Sequence, residues 1–221
     1  MPSLVYLHGF ASGPRGSKGE HCRLWAAARN IPFLAPDLNL PTFEALTVSA
    51  QVEAVEALLR TLPQPPVVVG SSLGGLVAAA VAHRGAALAG LILLAPAFGF
   101  ASRRLEGPRW AGYRRRGSIP IFHHARNAWT RLGPELLADL PAWADDGRWR
   151  VGAPLAILHG TRDESVPVQV SRAFAGRHGG ADLRELDDDH GLLGTASLEV
   201  LDDLLARMCQ AARSGSASTG P

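Results

Sequence analysis

The chain has 221 residues, 47% of them hydrophobic and 19% charged, with a formal net charge of +2. These values suit one large globular unit with a sizeable core and exclude the strongly basic face that nucleic acid would require. No apolar run approaches the roughly 20 residues that cross a bilayer, Met1–Tyr6 has neither a basic n-region nor a cleavage site, and Cys22 and Cys209 stand far apart; a cytoplasmic protein without a membrane span or disulfide framework is expected.

The elements follow in chain order. Ser3–Leu7 is a short apolar run of strand formers, followed by His8-Gly9-Phe10 and a glycine-rich loop to about Gly16. Gly19–Arg29 reads as a helix and Phe33–Ala35 as a second strand. Phe43–Leu62 carries apolar residues at helical spacing and stops at Pro63. Val67–Val69 is a third strand, Leu73–His83 a helix and Leu91–Ala95 a fourth strand. Leu155–Leu158, the helix Val168–His178, the strand Asp182–Leu186 and the helix Ser197–Ala212 complete the series. Residues 214–221 form a polar tail, expected to be disordered.

Short apolar strands alternating with helices predict an α/β fold with a mostly parallel sheet covered on both faces. The rhythm fails between Phe98 and Arg150. That stretch holds ten arginines and four of the five tryptophans, which suits a packed insertion better than a disordered loop. The reading is a core of residues 1–97 and 151–213, interrupted by a mainly helical cap at 98–150 in which Pro134 starts a helix.

The chemistry centres on Gly70-Ser71-Ser72-Leu73-Gly74, a G-x-S-x-G pattern between a strand and a helix. A nucleophile on so sharp a turn projects its oxygen above the sheet edge, and the turn needs small residues two positions either side. A serine also needs a base and an orienting acid, expected after the last strands in the order acid, then histidine. Asp163 and His190 occupy those places. Glu164 is the neighbouring competitor, Asp187–Asp189 reads as a solvated turn, and His159 as structural. The oxyanion hole would combine the backbone N–H groups of Leu73 and Phe10, with Gly9 letting the chain approach the site.

With these residues in place, the chain resembles an α/β-hydrolase. "YLHGFASGPRGSKG" and "GSSLGG" together resemble the small bacterial esterases of the YqiA type, which carry an HGF-x-S-x-P-x-S-x-K start and a G-S-S-L-G-G elbow. Asp163–Pro167 fits the D-x-x-V-P acid loop of the superfamily. The resemblance covers most of the chain outside Phe98–Arg150, where the arginine-rich insertion is longer than that group would have. It implies a minimal six-stranded parallel sheet of order 2-1-3-4-5-6.

The function expected is a carboxylesterase-type serine hydrolase acting on small-molecule esters of short-to-medium acyl chains, with no metal or organic cofactor. Ser72, His190 and Asp163 are the candidate catalytic residues. Trp110, Tyr113, Phe122 and Trp129 are candidates to wall an acyl pocket. Arg114-Arg115-Arg116 would suit an anionic substrate such as an acyl-CoA. A thioesterase, amidase or C–C hydrolase would use the same triad, and a non-catalytic binding module of the same fold is the remote alternative.

Overall fold

A computed structural model describes residues 2–100, 108–144 and 147–217. Six strands form one parallel sheet: β1 (Leu4–Leu7), β2 (Phe33–Leu34), β3 (Val67–Ser71), β4 (Gly90–Leu94), β7 (Leu155–Gly160) and β8 (Asp182–Leu186). Their spatial order is β2-β1-β3-β4-β7-β8, with β1 Leu4 opposite β3 Val67 and β3 Val67 opposite β4 Gly90. Numbered within this sheet alone, that is the expected 2-1-3-4-5-6 order. The sheet winds one way from β1 to β2 and the other way from β1 through β3 to β8. A crevice therefore opens at the carboxyl ends of β1 and β3, where ligands of open parallel sheets bind.

Both faces are covered because both sides of each central strand are apolar. Val5, Leu7, Val68, Leu91, Leu93 and Ile157 point into one core, beneath α2 (Val48–Arg60), α3 (Leu73–His83) and α6 (Gln169–Gly176). Leu4, Tyr6, Val67, Val69, Ile92 and Leu94 point into the other, against α1 (Ser17–Ala27) and α7 (Thr195–Ala217). Ten of the eleven residues of α3 are buried, which explains why all of them before His83 are apolar and most are small. Cys22 and Cys209 are both free and buried in the second core.

Two boundaries differ from expectation. The helix predicted from Phe43 starts at Val48, because Thr47 caps it by accepting a hydrogen bond from the Ala50 N–H at 3.2 Å. Phe43 and Leu46 remain buried, but as part of the preceding loop. At the other end, α7 runs on to Ala217 instead of stopping near Ala212. The supposed tail is thus helical in its first four residues; 218–221 lie outside the described residues, as do 101–107 and 145–146 within the insertion.

The insertion contains a β-hairpin that the sequence reading did not anticipate. It runs α4 (Pro108–Arg116), β5 (Ile119–His123), a 3-10 turn (His124–Arg126), β6 (Ala128–Leu132) and α5 (Glu135–Asp139), followed by a second 3-10 turn at Leu140–Trp143. Strands β5 and β6 pair antiparallel, with Phe122 opposite Trp129. Ile119, Ile121 and Leu132 face inward, and with Tyr113, Leu136 and Leu140 they join the core beneath α2 and α3. The Asp139 carboxylate accepts from the Ser49 N–H at 3.0 Å, and Trp143 Nε1 donates to Ser49 Oγ at 2.9 Å. One further bond matters for the site: His124 N–H donates to the Ala11 carbonyl, in the loop after β1, at 2.9 Å.

Candidate active site

Ser72 stands between β3 and α3 with φ +53° and ψ −115°, a left-handed conformation that costs a non-glycine residue about 1–3 kcal/mol. The surroundings enforce it. Ser72 N–H donates to Leu94 O at 2.9 Å, and Ser72 O accepts from the N–H groups of Gly75, Leu76 and Ala97. Gly74 is obligatory because a Cβ there would collide with the carbonyls of Leu7 and His8. Gly9 is nearly as constrained: a Cβ would sit 3.2 Å from Ser72 Cβ and 3.3 Å from Ser71 O. The turn after β1 thus lies directly against Ser72. Gly75 and Leu76 N–H are taken up by Ser72 O, whereas Leu73, at the first position of α3, has no intrahelical acceptor for its N–H, and the positive end of the helix dipole lies there.

His190 follows β8 and Asp163 follows β7. The structure brings both to Ser72, 118 and 91 positions away in sequence. His190 Nε2 lies 3.0 Å from Ser72 Oγ, and His190 Nδ1 lies 2.7 Å from Asp163 Oδ2. The Asp163 side chain is fully buried. Its Oδ1 accepts from the backbone N–H groups of Ser165 and Val166, each at 2.8 Å. Burial alone would raise the proton affinity of this carboxyl. Hydrogen bonds from His159, His190 and Val166 N–H outweigh it and hold the group well below the usual carboxylate range. The acid is therefore ionised, so the Nδ1 of His190 carries its proton and Nε2 presents a lone pair to Ser72.

His159, read from the sequence as structural, is buried and lies against the Asp163 carboxylate. This fully buried imidazole places Nε2 2.9 Å from Val166 O and 3.2 Å from Asp163 Oδ2. Both are acceptors, so Nε2 is the protonated nitrogen, and Nδ1 accepts from the Ser171 hydroxyl at 2.7 Å. His159 is thus a second imidazole on the acid. The signal was present, a histidine four residues before the carboxylate at a strand end, but its direction was not. His8 also has a role: Nε2 accepts from Leu38 N–H at 2.8 Å, leaving Nδ1–H to donate to Gly9 O at 2.9 Å. It fixes the turn that carries Phe10.

The neighbouring carboxylates are engaged elsewhere. Glu164 is exposed. Asp187 pairs with Arg162 at 2.6 Å, Asp188 accepts from Gly194 N–H and Ser197 Oγ at the start of α7, and Asp189 accepts from Gly191 N–H at 2.7 Å.

The cleft beside Ser72 has a volume of about 210 Å³ and includes Gly9, Phe10, Lys18, Ser71 and His190 in its walls. None of the four aromatics expected to wall an acyl pocket lines it. Trp110 and Tyr113 are buried against each other and Phe100, and the Tyr113 hydroxyl donates to Gly133 O. Phe122 and Trp129 stack edge to face on the outer side of the hairpin, where Trp129 is 70% exposed. The insertion spends its aromatics on its own packing and on its outer surface. Arg114, Arg115 and Arg116 are likewise exposed at the end of α4. Among the described residues there is no grouping of three or more histidine, cysteine or acidic side chains suited to a metal ion. Nor is any helix among them long and apolar enough to cross a membrane.

The strand order, two-faced helical cover and serine elbow define an α/β-hydrolase fold. Residues 3–107, slightly under half of the chain, match the model of an uncharacterised protein family, UPF0227. No curated protein sequence matches the chain. Solved structures do. A provisionally assigned hydrolase from Agrobacterium vitis S4 superposes with a TM-score of 0.82 at 23% identity, over 94% of this chain and 87% of that one. Mouse alpha/beta hydrolase domain-containing protein 10 gives 0.80 at 21%, over 95% and 90%. Est1E from Butyrivibrio proteoclasticus, with ferulic acid bound, gives 0.78 at 17%, over 97% and 90%.

Proposed function

We propose that the chain is a serine hydrolase that cleaves small carboxylic esters through an acyl-enzyme intermediate. The observation that carries this reading is the unbroken hydrogen-bonded series from Asp163 through His190 to Ser72. Ser72 Oγ attacks the acyl carbonyl while His190 Nε2 takes its proton and then gives it to the leaving alcohol. Asp163 holds the imidazole tautomer and stabilises the imidazolium. His159 acts at one remove, as a positioning residue for Asp163. The N–H groups of Phe10 and Leu73 stabilise the tetrahedral oxyanion. Water, activated by His190, then releases the acid and restores Ser72. The hydrolases among the similar folds support the reading, and the small cleft favours the shorter acyl chains.

The test is hydrolysis of p-nitrophenyl acetate and butyrate by wild type and Ser72→Ala, with fluorophosphonate labelling alongside. Wild type should turn over both esters and label at Ser72, and the variant should do neither. Equal rates in the two proteins would remove Ser72 from the mechanism.

A further inference from the structure

The cleft beside Ser72 is of mixed character, with a charged side chain and several hydroxyl-bearing residues set beside Phe10 and Leu193. Its walls include the Tyr6 phenol, the Ser12 and Ser71 hydroxyls and the side chain of Lys18. Lys18 is the chain's one lysine among 22 basic residues, and it does not sit on the open surface. Its Nζ donates to Gly191 O at 2.6 Å and to His190 O at 3.4 Å. Two of its three N–H donors are thus directed at the backbone of the residue that contacts Ser72 and of the residue after it.

The ammonium has no carboxylate partner among the described residues. Asp163, Asp188 and Asp189 act on it only through space. Asp163 is committed to its two imidazoles, and Asp188 and Asp189 to backbone and serine donors. A half-buried cation without a counter-ion is costly unless something supplies the charge. Here Lys18 lines the same cleft as Ser72 and His190. Tyr6, Ser12 and Ser71 are further hydroxyl-bearing residues of the lining.

We infer that Lys18 determines substrate class: the site takes short esters carrying a carboxylate near the scissile bond, whose charge pairs with the Lys18 ammonium. The inference rests on Ser72 being the nucleophile. The same ammonium also steadies the His190–Gly191 backbone, so a lowered rate in a Lys18 variant would prove nothing. The informative quantity is the preference for charged over uncharged substrate.

The experiment measures kcat/KM by pH-stat for monoethyl succinate, glutarate and adipate against ethyl butyrate, valerate and hexanoate. 4-Acetoxybutanoate against butyl acetate places the charge on the alcohol side. Wild type should favour at least one anionic ester by about tenfold or more, the scale of a charge-assisted hydrogen bond gained on binding. Lys18→Met should collapse that ratio to near one, and Lys18→Arg should restore part of it. Two outcomes overturn the inference while leaving the serine hydrolase intact: no anionic preference in wild type, or a preference that survives in Lys18→Met. Fluorophosphonate labelling separates these from the deeper failure. Absence of both labelling and hydrolysis in wild type would overturn the hydrolase reading and this inference together.

Discussion

Replacing Asp163 by asparagine tests the polarity of the whole site. The carboxylate accepts three hydrogen bonds, from Ser165 N–H and Val166 N–H at 2.8 Å each and from His190 Nδ1 at 2.7 Å, and His159 Nε2 stands 3.2 Å from the same oxygen as His190. An amide has one oxygen, so either orientation turns an NH₂ toward two donors. The backbone N–H groups cannot change, whereas an imidazole can move its proton. The amide oxygen therefore stays on Ser165 and Val166, and its nitrogen faces the histidines. His190 then accepts at Nδ1 and carries its proton on Nε2, aimed at Ser72 Oγ, where no lone pair remains to take the serine proton. The expected fall in kcat is about 10³- to 10⁴-fold. His159 cannot relax as easily, because Nε2 also serves Val166 O at 2.9 Å. Leaving that buried carbonyl unpaired should destabilise the fold by about 1–3 kcal/mol. Turnover of p-nitrophenyl butyrate and urea unfolding measure the two effects. A variant retaining more than a tenth of wild-type kcat would refute the argument and turn attention to Glu164.

Three further outcomes follow from the same geometry. Because the folded-state affinity of Asp163 for a proton lies below the ordinary carboxylate value, its stabilisation is complete above the unfolded pKa, about 3.9. It is lost only as pH falls through the lower folded value. The stability gap between wild type and Asp163→Asn, read by urea titration, should be flat from pH 7 to 5 and shrink below pH 4; a gap that narrows between pH 7 and 5 would contradict it. Gly9→Ala pushes a methyl group against Ser72 Cβ and Ser71 O. It should lower kcat by up to about 100-fold while moving the thermal midpoint little, and a full-rate variant would show that the turn has slack. Burial pushes the Cys22 thiol up to about 12, so neither Cys22 nor Cys209 should react with a thiol reagent at pH 8 until the chain is denatured.

The parts of the fold and site legible in sequence were those where local chemistry leaves little choice. Three valines followed by G-x-S-x-G can hardly be anything but a buried strand running into a tight elbow, and α3 begins and ends where its alanines predict. Asp163 and His190 were legible because each directly follows a strand. What failed depended on neighbours distant in sequence. Ile119-Pro120-Ile121-Phe122-His123 is short and contains a proline, so its strand exists only because Ala128–Leu132 pairs with it. Whether Trp110 and Tyr113 line a pocket or fill a core depends on Phe100 and Gly133 reaching them. His159 reads as structural from the sequence and is buried; its contact with Asp163 was not legible, because the identity of a histidine does not reveal which way its nitrogens face.

The bond from His124 N–H to the Ala11 carbonyl has a consequence for modular redesign. It joins the tip of the inserted hairpin to the residue after Phe10, so the insertion buttresses the loop that lies against Ser72. Exchanging residues 98–150 for another insertion would remove that donor and unfasten the neighbourhood of Phe10. A workable graft has to bring its own donor to Ala11. In this chain the insertion and the loop beside Ser72 are tied by one backbone bond, and neither can be exchanged without regard to the other.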